Sequence, residues 1–175
     1  MTNNYRLSIQ LVPQQLWFRN LRKLMSQYEW SKLRKKVIAE RGLVCETCGF
    51  VAPLSKNIFC HEKWTYETST DPWIAKLIGI EMTCWNCHSI EHWKRTEMLV
   101  AQGTLRTETL DLLVNHFLTV NKSTKEAFEA HKKEATEIYS RRSSYFYWEI
   151  DWGPFSQWVE ENYDGDPFEG SPFSI

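Results

Sequence analysis

The sequence predicts an α+β fold: a small cysteine-stapled core, an N-terminal helix before it and a helical extension after it. Two observations carry this. Two Cys-x-x-Cys pairs, Cys45/Cys48 and Cys84/Cys87, bracket short apolar runs of strand character. Stretches with helical apolar periodicity lie on both sides of the bracketed region. The chain has 175 residues, 42% hydrophobic and 25% charged, enough for one domain with appendages. Aromatic residues reach 14%, with nine Trp, which argues against disorder over most of the chain. No apolar run is long enough to span a bilayer, and the first residues lack the pattern of a secretory signal. The expected setting is the reducing cytoplasm, with no membrane partner.

The elements follow in order. Residues 7–12 (LSIQLV) alternate as a strand does and stop at Pro13. Residues 14–41 read as one basic helix ended by Gly42, with Leu16, Leu21, Leu24, Tyr28, Leu33 and Val37 at helical steps. Residues 50–53 and 58–61 are short and apolar with a polar stretch between them, predicting a hairpin whose second strand continues over 63–67. Asp71-Pro72 opens an apolar segment, 73–82, leading to the second cysteine pair. A helix is expected over 87–102, with Gly103 past its end, and another over 107–118. Ser123 and Glu126 form a capping-box pattern, so a further helix runs from there to about residue 142. The chain divides into an N-terminal segment (1–42), a metal-binding core (43–103), a helical extension (104–153) and an acidic aromatic tail (154–175).

In a reducing compartment, paired Cys-x-x-Cys motifs are metal ligands rather than disulfides. Each short loop brings two thiolates to one ion, and two loops close a tetrahedron. Cys45, Cys48, Cys84 and Cys87 are therefore expected to hold a structural Zn²⁺. Gly49 suits the knuckle turn after the first pair. The pairs are separated by 35 residues, longer than a simple ribbon, and the insert contains Cys60-His61-Glu62. His88 follows Cys87 directly and His92 lies four residues on, so the two share a helix face.

Charge is unevenly spread although the net value is −1. Residues 1–44 hold nine Lys and Arg against Glu29 and Glu40, and residues 145–175 hold seven acids and no Lys or Arg. Arg22, Lys23, Lys32, Arg34, Lys35 and Lys36 are the candidate phosphate contacts of a nucleic-acid-binding surface, with DNA the expected partner. The acidic tail is expected to dock on a protein partner or to cover the basic face as an internal mimic of nucleic acid.

A Cys-x-x-Cys-Gly, a hairpin ending in His, and a Cys-x-x-Cys-His opening a helix resemble the HNH endonuclease superfamily with its ββα-metal fold. More closely, they resemble a group of bacterial proteins labelled HNH endonuclease. The stretches that carry the likeness are WSKLRKKVIAERGLVCETCG, FCHEKWTYE, IAKLIGIEMTCWNCHSIEH, NHFLTVNKSTKEAFEAH and YWEIDWG, within residues 28–153. The resemblance implies a metal-dependent nuclease that hydrolyses DNA phosphodiester bonds, with Mg²⁺, Mn²⁺ or Ni²⁺ as catalytic ion. His61 would be the general base and His88 a metal ligand. The residue before the base is usually Asp or His and here is Cys60; the Asn of the motif should lie near residue 79, which is Gly79. Glu62 and His92 are the candidate substitutes. A catalytically inactive metal-binding module for nucleic acid or protein is the alternative. His88, Glu91 and His92 also spell His-x-x-Glu-His, a metalloprotease pattern in which the Glu activates water.

Overall fold

The computed structural model describes residues 5–168. It is an α+β fold in which a three-stranded mixed sheet, ordered β1-β2-β3, is flanked by helices. Strands β1 (Ile58–Glu67) and β2 (Trp73–Cys84) form an antiparallel hairpin. Helix α3 (Trp85–Glu91) follows β2 without a break, completing a ββα unit beside the four cysteines. No described helix is long and apolar enough to cross a membrane.

The expected hairpin between residues 50–53 and 58–61 is not the one formed. Residues 50–53 contribute only an isolated Val44–Val51 bridge, and the chain before β1 is a 3₁₀ turn, Ser55–Asn57. β1 pairs with β2, so His61 stands opposite Glu81. The ladder slips between Lys63 and Trp64, where Lys63 faces Gly79 and Trp64 faces Leu77, leaving Ile78 as the extra residue of a bulge. Before the bulge β2 alternates between buried and exposed residues; from Ile80 to Cys84 every residue is buried.

The single helix expected over residues 14–41 is three pieces: a 3₁₀ turn (Gln14–Leu16), α1 (Leu21–Leu24) and α2 (Gln27–Arg41). Two capping side chains divide it. Asn20 Oδ1 accepts from the Lys23 N–H, and Ser26 forms a capping box with Glu29. Arg34 and Arg41 tie α2 to the hairpin. Arg34 donates to the Ile58 carbonyl at 2.9 Å, and Arg41 to the Ile80 carbonyl at 2.5 Å.

Residues 7–12 form no strand. Side chains of the C-terminal helices take their backbone groups instead: the Leu7 N–H donates to Asn121 Oδ1 at 3.0 Å and the Ile9 N–H to His131 Nε2 at 2.9 Å. The helix expected over 87–102 is α3 and α4 (Trp93–Ala101), separated at His92, whose φ of −97° and ψ of 42° leave the helical region. Helices α5 (Glu108–Asn121) and α6 (Lys125–Ser143) match expectation, except that Thr124 rather than Ser123 caps α6.

Strand β3 (Trp148–Asp151) runs parallel to the start of β2. The turn after it presses on the sheet: a Cβ at Gly153, φ +54°, would lie 2.0 Å from the Leu77 carbonyl oxygen. Helix α7 (Ser156–Asn162) and the next residues pack on the chain ahead of α2. Tyr163 Oη donates to the Leu24 carbonyl at 2.6 Å, and Asp166 pairs with Arg19 at 2.5 Å. Val159 and Phe168 are buried there. The remainder of the acidic tail lies outside the described residues.

Candidate metal centres

The first centre is built by the knuckle and the β2–α3 junction. The Cys45 N–H donates to the Phe50 carbonyl and the Gly49 N–H to the Cys45 carbonyl, both at 2.8 Å, with Gly49 at φ +79°. The Glu46 N–H donates to the Met82 carbonyl, docking the knuckle on β2. This brings Cys45 and Cys48 to Cys84 and Cys87, with the four sulfurs within 4.8 Å of one another. Hydrogen bonds from Cys84 and Cys87 pull the Cys45 thiol down, while the neighbouring thiolate pushes the Cys84 thiol up to about 12 and the Cys87 thiol higher still. A thiolate at Cys45 is thus favoured, and it opposes a second at Cys84 or Cys87. A cation removes that opposition, so this donor set fits a metal ion.

His116 of α5 joins this centre from outside the cysteine motif, its Nε2 lying 3.3 Å from Cys87 Sγ. No sequence spacing marks it, because α5 reaches the site only by packing against α3.

The second centre is three imidazoles: His61 from β1, His88 from α3, and His92 from the α3–α4 junction. Their nearest ring nitrogens lie within 4.8 Å of one another. His61 Nε2 is 3.0 Å from His92 Nε2, and the three ring centroids are 4.7–5.2 Å apart. The Phe59 ring stacks on His88 at 5.2 Å. Burial, with His61 and Arg95 adding to it, lowers His88 to about 4 and His92 to about 3. Both rings are thus neutral at pH 7 and present lone pairs, as a metal ligand must.

Behind His61 stand two carboxylates. Its Nδ1 is 3.3 Å from Glu91 Oε2 and 3.6 Å from Glu81 Oε1. Glu81 and Glu91 are only 7% and 3% exposed. Burial raises Glu91 to about 7. Burial also works against Glu81, but His61 and Lys63 outweigh it and hold that carboxyl below its ordinary value; Lys63 Nζ lies 2.8 Å from Glu81 Oε2. His61 Nδ1 and Glu91 Oε2 are buried without an in-line hydrogen bond. These two carboxylates and His61 also form a group that could hold a cation. The Glu91 carboxylate faces Nδ1, on the far side of the His61 ring from Nε2. That is not the position of a water-activating Glu between two metal-binding histidines.

The other candidate residues lie elsewhere. Glu62 points to the opposite strand face, where its carboxylate accepts from the Leu21 and Arg22 N–H groups at 3.2 and 2.9 Å and caps α1. Cys60 is on that face too, its Sγ 3.6 Å from Met82 Sδ. Both flank His61, and strand alternation turns them away from it. Gly79 sits at the bulge and offers no side chain. Of the basic set, Lys23, Lys32, Lys35 and Lys36 are exposed, Arg34 is committed to the hairpin, and Arg22 donates to Gln27.

Besides His116, sequence reasoning misses Glu81. Its signal is period-two alternation along β2, which identifies a partner for His61 only once β1 is paired with the correct strand. Comparison of the chain with family models, curated proteins and solved structures finds no match.

Proposed function

We propose that the protein is a metal-dependent phosphodiesterase acting on DNA, with the ββα-metal core of HNH-type nucleases. The observation that carries this reading is the convergence of hairpin His61 with His88 and His92 at the start of the following helices. The four cysteines are assigned a structural Zn²⁺, and the three imidazoles the catalytic ion. Neutral nitrogen donors suit Zn²⁺, Ni²⁺ or Co²⁺ better than Mg²⁺. When bound, such an ion would supply a Lewis acid for a phosphodiester oxygen and lower the pKa of a water.

The chain's own residues prepare that site. The Glu81 and Glu91 carboxylates beside Nδ1 favour the His61 tautomer with its proton there, which leaves the Nε2 lone pair facing the other two rings. His61 then acts as a ligand, not as the general base the motif implies. Burial keeps His88 and His92 deprotonated. The cysteine staple fixes Cys87 and with it the next residue, His88. The exposed lysines of α1 and α2 offer sequence-independent phosphate contacts.

Plasmid nicking with Zn²⁺, Ni²⁺, Co²⁺, Mn²⁺ or Mg²⁺ added in turn tests the reading. Nicking should appear with the nitrogen-loving ions and fall at least about 100-fold in His92→Ala with the fold retained. Nicking that survives the loss of His92 would overturn it. The bare Gly79, where the resemblance expects Asn, favours a second reading as a non-catalytic module. DNA retention without cleavage by any ion would support that one.

A further inference from the structure

The far side of the His61 ring faces a second set of donors, which the three-imidazole centre does not use. His61 Nδ1 stands 3.3 Å from Glu91 Oε2 and 3.6 Å from Glu81 Oε1, and the three groups lie within 4.8 Å of one another. They come from three elements, β1, β2 and α3, so the docking of the hairpin on the helix sets their positions. His61 and Glu91 are 8% and 3% exposed. Among the described residues, neither His61 Nδ1 nor Glu91 Oε2 has a hydrogen-bond partner. Polar atoms buried in this way are costly unless something engages them. Their spacing is long for a hydrogen bond, in which nitrogen and oxygen approach to about 2.9 Å. Two ligands held at about 2.1 Å from one ion and spread at a tetrahedral angle lie about 3.4 Å apart. The two observed distances fall on either side of that value.

Charge points the same way. Lys63 lies 2.8 Å from Glu81 Oε2 and matches that carboxylate, whereas the His61 ring is the only ion-pair partner of Glu91 among the described residues. We propose that His61 Nδ1, Glu81 and Glu91 form a further cation site for a divalent ion such as Mn²⁺, with His61 as a bridge to the ion at the three imidazoles. As the ion binds, the Nδ1 proton leaves to solvent. The ring becomes an imidazolate, and each of its nitrogens donates to one ion. Two carboxylates and the imidazolate then balance the divalent ion and the Lys63 ammonium, so the buried cluster is neutral. The ion must displace a proton and share Glu81 with Lys63, so the site fills only when the ion is supplied. Lys63 is half exposed, which gives the ion a way in from solvent. The bridge rests on the reading of the three imidazoles as a metal centre; the donors on the Nδ1 side stand without it.

Titration of the zinc-loaded protein with Mn²⁺, followed by the paramagnetic resonance signal of the free ion, tests the site without relying on turnover. One Mn²⁺ should bind per chain with the zinc retained, since Zn²⁺ holds nitrogen and sulfur donors more tightly than Mn²⁺ does. Glu81→Gln should weaken that Mn²⁺ at least about tenfold, because a charged ligand is lost. Lys63→Met should tighten it at least about threefold by removing a like charge and freeing Glu81 Oε2. Loss of structural support alone would not produce such a gain. A zinc-loaded parent that binds no Mn²⁺, or an affinity that stays at the parent's value in either variant, would overturn the site. A parent that carries zinc at the cysteines alone, yet binds one Mn²⁺ that Glu81→Gln weakens, would keep the site and overturn the reading of the three imidazoles.

Discussion

Cys87 and His88 are consecutive residues of α3 that belong to different clusters: the Cys87 sulfur joins four thiols, and the His88 ring joins three imidazoles. One helical turn thus bridges the two centres. An ion held by the four thiols would fix the backbone that carries His88, so the proposed structural site would position the proposed functional one.

Cys48→Ser should therefore cost more than one ligand. The binding energy of a structural zinc site, about 10–16 kcal/mol in small peptides, is comparable to the whole stability of a domain. The variant should lose its cooperative thermal transition by circular dichroism, and with it metal binding at the imidazoles. A cooperatively folded Cys48→Ser with both ions bound would contradict the coupling.

Glu91→Gln tests the support of His61. The amide keeps the shape but can no longer hold the Nδ1 proton as a carboxylate does. Metal affinity at the imidazole centre should drop about 10- to 100-fold by competition with a chelating dye, while the cysteine centre keeps its ion. Unchanged affinity would mean that His61 is oriented by packing alone.

His131 gives a pH signature away from both centres. Its Nε2 accepts the Ile9 N–H at 2.9 Å, and burial lowers its pKa from the ordinary 6.5. Above pH 6.5 the ring is neutral in both folded and unfolded chains, and its contribution is complete. As pH falls below 6.5 the unfolded chain takes up the proton first, so that contribution is lost. The stability advantage of the parent over His131→Gln, measured by urea denaturation, should shrink between pH 7.5 and 5.5. A pH-independent difference would contradict this.

Gly153→Ala should destabilise the chain by about 1–3 kcal/mol, because the added Cβ meets the Leu77 carbonyl and the backbone has a positive φ. A melting temperature equal to the parent's would show that the β3 turn yields.

The cysteine spacing and the helical periods of α5 and α6 made much of the fold legible, since those signals are local. The break at Asn20 and Ser26 was legible too, as capping residues, but apolar periodicity across residues 14–41 masked it. The β1–β2 pairing was not legible, because residues 50–53 are apolar enough to offer a nearer partner and the knuckle claims them. That one error hid Glu81. It also left Glu62 and Cys60 beside His61 as candidates, although strand alternation points both the other way. β3 was hidden because four residues that gain strand geometry only by docking on β2 carry little period of their own.

Elemental analysis of purified parent and His61→Ala tests the central claim most directly. The account predicts two metal ions per chain in the parent and one in the variant, with the thermal transition of the variant still cooperative. One ion per chain in both, or two in both, would contradict it.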